Sequence, residues 1–88
     1  MQIRLKWKLR GFKNYYVSTE GWIIRVAYVT NHMHFKEPRF VTKNSRNQFT
    51  LYRNNVKETW STKQLRNILE TIPIIIINSY SNIKPVPF

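Results

Sequence analysis

Residues 48–65 read QFTLYRNNVKETWSTKQL and contain the clearest structural signal in the chain. Apolar and polar residues alternate along 48–53, as they do in half-buried β-strands, and residues 56–60 fit the strand that returns beside it. Between these runs stands Asn54-Asn55, and asparagine tolerates the left-handed backbone conformation that a two-residue hairpin turn requires. This part of the stretch therefore predicts a β-hairpin.

The end of the same stretch predicts a helix over about 61–72. Ser61 and Gln64 have the spacing of a capping box, in which each residue satisfies a backbone N–H of the other. The residues that follow place apolar side chains at i, i+3, i+4 and i+7, which is one face of a helix. These apolar residues are Leu65, Ile68, Leu69 and Ile72. Pro73 would end the helix, because proline lacks the N–H that the next turn needs.

Strand alternation assigns the two faces of the hairpin. We expect one face to pack on the helix, and it carries Phe49, Leu51, Val56 and Trp60. The other face then points outward, and it carries Gln48, Thr50, Tyr52, Lys57 and Thr59.

The N-terminal half of the chain adds further strands. Residues 2–10 alternate strictly, with Ile3, Leu5, Trp7 and Leu9 on one side and Arg4, Lys6, Lys8 and Arg10 on the other. Residues 15–18 and 22–29 predict a second hairpin around Gly21, residues 30–38 a loop, and residues 39–43 a strand that a turn at Asn44-Ser45 joins to the first hairpin.

Together these elements predict an α+β fold: a small antiparallel sheet of four to six strands with one helix packed on one face. The 88 residues suit a single small domain, 1–88, with a C-terminal tail over 73–88. Within the tail, residues 74–77 are four isoleucines, which predict either one buried strand or a contact in a homodimer.

The formal net charge is +11, from 15 Lys and Arg against four acids, all Glu. Such an excess predicts a polyanionic partner, and nucleic acid, an anionic membrane or an acidic protein surface would each satisfy it. The longest apolar run is far below the ~20 residues that cross a bilayer, and the start of the chain has no apolar signal core. We therefore expect a cytoplasmic protein and no membrane association; abundant Ile, Asn and Lys suit the AT-rich genome of a phage.

Two motifs resemble a known module. Trp7, then Gly11-Phe12, then a Tyr-x-Val-Ser-x-x-Gly-x-Ile run from Tyr15 to Ile23, is followed at a distance by Phe49-x-Leu51, Asn54-Asn55 and Leu65. Over 7–65 the chain resembles the NUMOD-type modular DNA-binding domain found beside HNH homing endonuclease domains. It departs from that pattern at Thr19, where Asn is usual, at Lys63, where His is usual, and by one missing residue between Gly11 and Tyr15. The resemblance implies a DNA-binding module in a bacterial or phage-infected cell.

Catalysis is not expected. An HNH-type nuclease needs a His base with metal-binding His or Asp residues, but the chain has no Asp, and Lys63 occupies the motif position of His. His32 and His34 lack the third and fourth ligands of a metal site. The sequence contains no Gly-rich phosphate loop or catalytic triad, so we expect no enzyme activity and no cofactor.

The sequence therefore predicts a small basic non-enzymatic DNA-binding protein, of phage type, that contacts phosphates and a groove through a basic sheet face. Lys and Arg can neutralise phosphates, Gln can bind adenine, and Thr can contact base edges. The candidate contact residues are Arg39, Lys43, Gln48, Thr50, Tyr52, Lys57, Lys63, Arg4, Lys6, Lys8 and Arg10. Each of them could equally be an ordinary solvent-facing residue. The alternative function is a phage-type protein that binds and inhibits a host enzyme or transcription component; binding to RNA is a third.

Overall fold

A computed structural model describes residues 2–26, 28–29, 35–36 and 38–78. The elements in chain order are β1 (Gln2–Leu9), β2 (Tyr15–Ser18), β3 (Ile23–Arg25), β4 (Tyr28–Val29), β5 (Phe35–Lys36), β6 (Arg39–Phe40), β7 (Gln48–Arg53), β8 (Val56–Ser61), α1 (Thr62–Arg66) and β9 (Leu69–Asn78). Five strands form one sheet in the order β6-β3-β2-β1-β9, and β4-β5 and β7-β8 form two-stranded sheets. All described pairings are antiparallel, so the predicted α+β fold with one helix is confirmed.

Two apolar clusters lie on the two faces of the five-stranded sheet. The first joins the sheet to the β7-β8 hairpin and α1, and its buried members are Leu9, Phe12, Tyr15, Val17, Ile23, Phe49, Leu51 and Leu65. The second contains Ile3, Leu5 and Ile24. The hairpin and the helix therefore cover one face of the sheet, as predicted for the helix.

The buried side chains of β1 lie on one face of the sheet before Lys6 and on the other face after it. The pairing of β1 with β2 shifts by one residue between Leu5 and Trp7, so Lys6 is the extra residue of a β-bulge. One extra residue reverses the alternation of every side chain that follows it. Ile3 and Leu5 consequently belong to one cluster, whereas Leu9 belongs to the other.

The predicted charged row of β1 is divided by the same bulge. Arg4 precedes Lys6 and Lys8 follows it, so these two side chains lie on opposite faces of the sheet. The prediction that residues 2–10 keep one apolar and one charged side is therefore wrong. A bulge leaves no signal in a sequence that alternates throughout.

Both hairpin turns have the predicted chemistry. Asn54 and Asn55 have φ of 52° and 63°, as a type I′ turn requires, and β7 and β8 pair without a register shift. Gly21 has φ of 85° in the turn between β2 and β3. The predicted strand over 22–29 is shorter on the described residues, because Ile23–Arg25 and Tyr28–Val29 are separate strands.

The region around β6 also differs from the prediction. The expected loop over 30–38 includes a two-residue strand, Phe35–Lys36, and the rest of that loop except Pro38 lies outside the described residues. The expected strand over 39–43 is limited to Arg39–Phe40, followed by a single bridge between Lys43 and Phe49.

The helix begins as predicted but is shorter. Ser61 is the N-cap, and its side chain and that of Gln64 form both hydrogen bonds of the capping box. The helix nevertheless ends at Arg66, and β9 begins at Leu69, so a helix over 61–72 is wrong. Residues before a proline favour extended backbone, and β-branched residues favour strands. Pairing with β1 therefore replaces the later turns of the helix.

Among the described residues, β9 is an edge strand, and most of its side chains are exposed. Ile74, Ile75 and Ile76 are 51%, 43% and 54% exposed, which contradicts the prediction of a buried strand at 74–77. Pro73 lies where the pairing with β1 is interrupted, between the partners of Leu5 and Trp7. A proline cannot donate to a ladder, and an irregularity in an edge strand accommodates it.

Candidate nucleic-acid interface

The outward face of the β7-β8 hairpin is built as predicted. Thr50 lies opposite Thr59 and Tyr52 opposite Lys57, so these side chains share one face with Gln48; we call these five residues the outer face. Lys57 and Thr59 are exposed, and Tyr52 is 44% exposed. The other face is buried at Phe49 and Leu51. Val56, predicted to pack on the helix, is 59% exposed because it is next to the turn.

The segment after β6 connects the five-stranded sheet to this hairpin. Val41 donates its N–H to the carbonyl of Ile23, and Asn44 donates its N–H to the carbonyl of Gln48. The Asn44 side chain accepts hydrogen bonds from the N–H groups of Arg46 and Gln48, which fixes the turn that leads into β7. The segment therefore has one end on the sheet and the other on β7.

A groove with a volume of about 350 Å³ lies between the sheet edge, this segment and β7. We call it the basic groove; its lining residues are Tyr15, Arg25, Arg39, Phe40, Val41, Thr42, Lys43, Asn44, Thr50 and Tyr52. Three of these described lining residues are cationic and none is acidic. Thr50 and Tyr52 belong both to the groove and to the outer face, so the two surfaces are continuous.

Register places Tyr15, Arg25 and Arg39 in one row across β2, β3 and β6. Tyr15 lies opposite Arg25, and Arg25 lies opposite Arg39. The Arg25 guanidinium carbon is 5.4 Å from the centroid of the Tyr15 ring and 5.5 Å from that of the Tyr52 ring. The N–H of Tyr52 donates to the Tyr15 hydroxyl at 2.9 Å. These contacts fix the Arg25 guanidinium at the junction of the sheet and the hairpin.

Glu58 is bound within the hairpin and leaves the outer face positive. Its carboxylate accepts two hydrogen bonds from Arg53, at 2.9 and 2.8 Å, and one from the Trp60 indole at 3.3 Å. Arg53 in turn lies 4.7 Å from the centroid of the Phe12 ring. Arg53 and Glu58 point to the same face as Leu51, opposite to the outer face.

The structure brings some predicted contact residues together and separates others. Arg39, Lys43, Thr50 and Tyr52 line the basic groove, and Gln48 and Lys57 lie on the adjoining outer face. Lys63 is exposed on α1. Arg4, Lys6 and Lys8 are on β1, three strands from β6 or roughly 14 Å at ordinary strand spacing, and Arg10 is in the turn after β1. The β1 residues are therefore separated from the groove and are divided between the two faces of the sheet.

Arg25 is the principal groove residue that the sequence analysis missed. A signal for it exists, because pairing outward from the Gly21 turn sets Tyr15 opposite Arg25. The second pairing, of Arg25 with Arg39, joins strands separated by a long connection, and no local rule predicts it.

Most motif residues of the N-terminal half are buried and contribute to the core. Phe12, Tyr15, Val17 and Ile23 are buried, and buried Ser18 accepts a hydrogen bond from the N–H of Trp22. These residues form the framework beneath the hairpin rather than an exposed surface.

No family model, curated protein or solved structure matches this chain. The resemblance to the NUMOD-type module thus stays a prediction from the motif residues.

The described part of the chain contains neither a cluster of metal ligands nor a membrane-crossing helix. Residues 2–26, 28–29, 35–36 and 38–78 contain no group of three metal-binding side chains, and His32 and His34 lie outside these ranges. No helix within the same ranges is long and apolar enough to cross a bilayer.

Proposed function

We propose that this protein is a small, non-enzymatic DNA-binding protein that contacts duplex DNA through the outer face and the basic groove. The observation that supports this most is their continuity: Arg39 and Lys43 line the groove, while Gln48, Thr50 and Lys57 lie on the same or the adjoining surface. Cations for phosphates thus lie beside amide and hydroxyl groups suited to base edges.

The hairpin has a shape that suits this role. A two-stranded β-ribbon fits the major groove of B-DNA, which is about 12 Å wide. The ribbon is supported from behind by Phe49 and Leu51 in the first apolar cluster, so the outer face is held on a rigid element. In this arrangement Lys57 and Arg39 bind phosphates, and Gln48 and Thr50 approach base edges.

The motif resemblance and the abundance of Ile, Asn and Lys favour a phage or bacterial source for this function. The NUMOD-type module is a DNA-binding unit. This chain would act as such a module and would lack the catalytic residues of the HNH domains that accompany it in homing endonucleases. The protein would then act in the cytoplasm of a bacterial or phage-infected host cell.

Charge reversal distinguishes the outer face from strand β1. We expect Lys57→Glu to weaken duplex binding roughly tenfold, because it removes a phosphate contact and adds repulsion. Arg4→Glu makes the same charge change at an exposed position of β1 and should weaken binding about threefold or less, because only long-range attraction is lost. Fluorescence anisotropy with a labelled duplex measures both affinities.

Unfolding in urea provides the control for both variants. Exposed strand substitutions change stability by about 0.5 kcal/mol or less, so both variants should unfold near the wild-type midpoint. Equal losses of affinity at Lys57 and Arg4 would contradict the proposed interface and indicate a diffuse charge effect.

Incubation with supercoiled plasmid and Mg²⁺ tests the absence of nuclease activity. We expect the supercoiled form to remain intact, because Lys63 occupies the position of the motif His and the chain has no Asp. Nicking that co-purifies with the protein and is lost in a Lys63→Ala variant would overturn this prediction.

The exposed apolar surface of β9 supports a second candidate function, which is contact with another protein chain. Within the described residues it has a neighbouring strand on one side only, and it exposes Ile74, Ile75 and Ile76. An exposed apolar edge can pair with a strand of another protein. The strand carries Glu70 and no Lys or Arg, so it lacks the charge that repels another basic chain. The partner would be a second copy of this chain or an inhibited host enzyme or transcription component.

Sedimentation equilibrium tests this contact. If β9 pairs with a second copy, the wild type should approach twice its 10.7 kDa at high concentration, and Ile74→Lys with Ile76→Lys should restore the monomer. Val56→Lys, another exposed apolar position, is the matched control. A monomeric wild type that captures a host protein from nuclease-treated lysate through β9 would favour the inhibitor; a monomer that captures nothing would exclude the contact.

A further inference from the structure

Two arginines lie directly opposite each other at the basic groove. Arg25 of β3 and Arg39 of β6 are register partners in an antiparallel pair. Side chains in such pairs have Cβ atoms about 5 Å apart, and like charges there destabilise the sheet. Lys43 is a third cation of the lining, although its Nζ lies 5.7 Å from the centroid of the Phe49 ring, and none of the described lining residues is acidic. An anion in the groove would offset this repulsion.

Arg25 provides a fixed positive charge in the lining of the groove. Its guanidinium lies against the rings of Tyr15 and Tyr52, whatever hydrogen bonds it also makes. A cation that is already ordered loses little conformational entropy when an anion binds nearby. It is also partly buried, where its charge is less screened by water than that of an exposed side chain.

Arg39 is the exposed member of the pair, and its five N–H donors can bind phosphate oxygens bidentately. Thr42 and Thr50 place hydroxyl groups in the same lining. A volume of about 350 Å³ exceeds what a single phosphate needs, so the groove has room for the sugar attached to it.

From these contacts we infer that the basic groove binds one phosphate group between Arg39 and Arg25. Lys43 bridges to Phe49 and turns its Nζ toward that ring, so it adds only to the positive field around the site. The inference rests on the proposed function in one respect: the phosphate is one of the nucleic-acid backbone. A phosphate bound in the groove would fix the position of the outer face on the duplex. Free phosphate or pyrophosphate offers the same chemistry, and the experiment distinguishes these sources.

The test compares Arg39→Gln with Arg46→Gln. Arg46 is exposed in the turn before β7 but does not line the groove, so both variants lose one positive charge in the same region. Arg39→Gln should weaken duplex binding roughly tenfold and reduce the slope of log K against log salt by about one. Arg46→Gln should lower the affinity about threefold or less and change the slope by less than half a unit.

Pyrophosphate titration gives a second measurement that does not require DNA. In phosphate-free buffer, Arg39→Gln should be no less stable than the wild type, because it removes one of two like charges that lie opposite each other. Added pyrophosphate should raise the melting temperature of the wild type and shift the backbone amide signals of Arg39 and Tyr52. Both effects should be smaller in Arg39→Gln and unchanged in Arg46→Gln.

The outcomes separate the inference from the proposed function. Duplex binding with equal losses in the two variants overturns the phosphate site and leaves DNA binding intact. Absence of duplex binding at low salt overturns the proposed function; a pyrophosphate effect that depends on Arg39 would then support a site for free phosphate groups. If neither DNA nor pyrophosphate responds to Arg39, the inference is wrong.

Discussion

Raising the NaCl concentration from about 50 to about 200 mM is expected to weaken duplex binding roughly 500-fold. Each phosphate contact releases condensed counterions, and the slope of log K against log salt is about −0.9 per contact on B-DNA. Contacts with ~5 phosphates would give a slope of −4 to −5. Arg39 and Arg25 share one of these phosphates in the basic groove, Lys57 would contact another from the outer face, and the remaining contacts would come from other Lys and Arg of this +11 chain.

Anisotropy titrations at four salt concentrations measure this slope. Single-stranded DNA and RNA of equal length are the comparisons, and the slope per phosphate is smaller on single strands, about −0.7. A flat slope, or no duplex binding at low salt, would contradict the DNA-binding proposal. Tighter binding to RNA than to duplex DNA would instead favour an RNA-binding protein.

Phe12→Ala is expected to lower the free energy of unfolding by about 3–5 kcal/mol. Phe12 is 2% exposed and makes edge-to-face contacts with Tyr15 and Trp60, both at 5.6 Å between ring centroids. Arg53 also lies over its ring. Phe12 thus connects β2 to the hairpin that carries the outer face. Small domains have a total stability of about 5–15 kcal/mol, so this loss would remove a large part of it.

Urea denaturation followed by tryptophan fluorescence measures the effect. Val56→Ala is the matched control, because Val56 is an apolar residue of the same hairpin that is mostly exposed. Its cost should be about 0.5 kcal/mol or less. A cost below 1 kcal/mol at Phe12 would show that the hairpin does not depend on this contact. Duplex binding by Phe12→Ala should fall in proportion to the unfolded fraction.

Gly11 illustrates how a motif residue can be required for structure. It has φ of 88°, which side-chain-bearing residues rarely adopt, and an added Cβ would lie 3.2 Å from the Arg53 guanidinium. The motif that resembles a DNA-binding module therefore includes at least one position whose backbone conformation favours glycine and which leaves room for the Arg53 side chain of the Arg53–Glu58 pair.

Local chemistry was sufficient to predict the two hairpins and the start of the helix. Asn54-Asn55 and Gly21 allow positive φ, and Ser61 with Gln64 caps the helix; each signal acts within four residues. Alternation then predicts the outer face, because side chains of a regular strand point to opposite faces. These features need no information from distant parts of the chain.

Long-range pairing decided the remaining features. Leu65, Ile68, Leu69 and Ile72 fit a helical period, yet β1 offers β9 a partner, and inter-strand hydrogen bonds replace the helix after Arg66. A helical period in a short segment describes which residues are apolar, and it does not specify the partner that buries them.

The amino-acid sequence by itself determined the antiparallel α+β class, the positive charge and the identity of the outer face, because all three follow from composition and from rules that act over a few residues. Tertiary structure alone decided the bulge at Lys6, the exposed edge at β9 and the meeting of Arg25 with Arg39. The physical reason is that each of these depends on which strands pair and in what register. That choice is made by the packing of the whole domain, since a shift of one residue moves every following side chain to the opposite face.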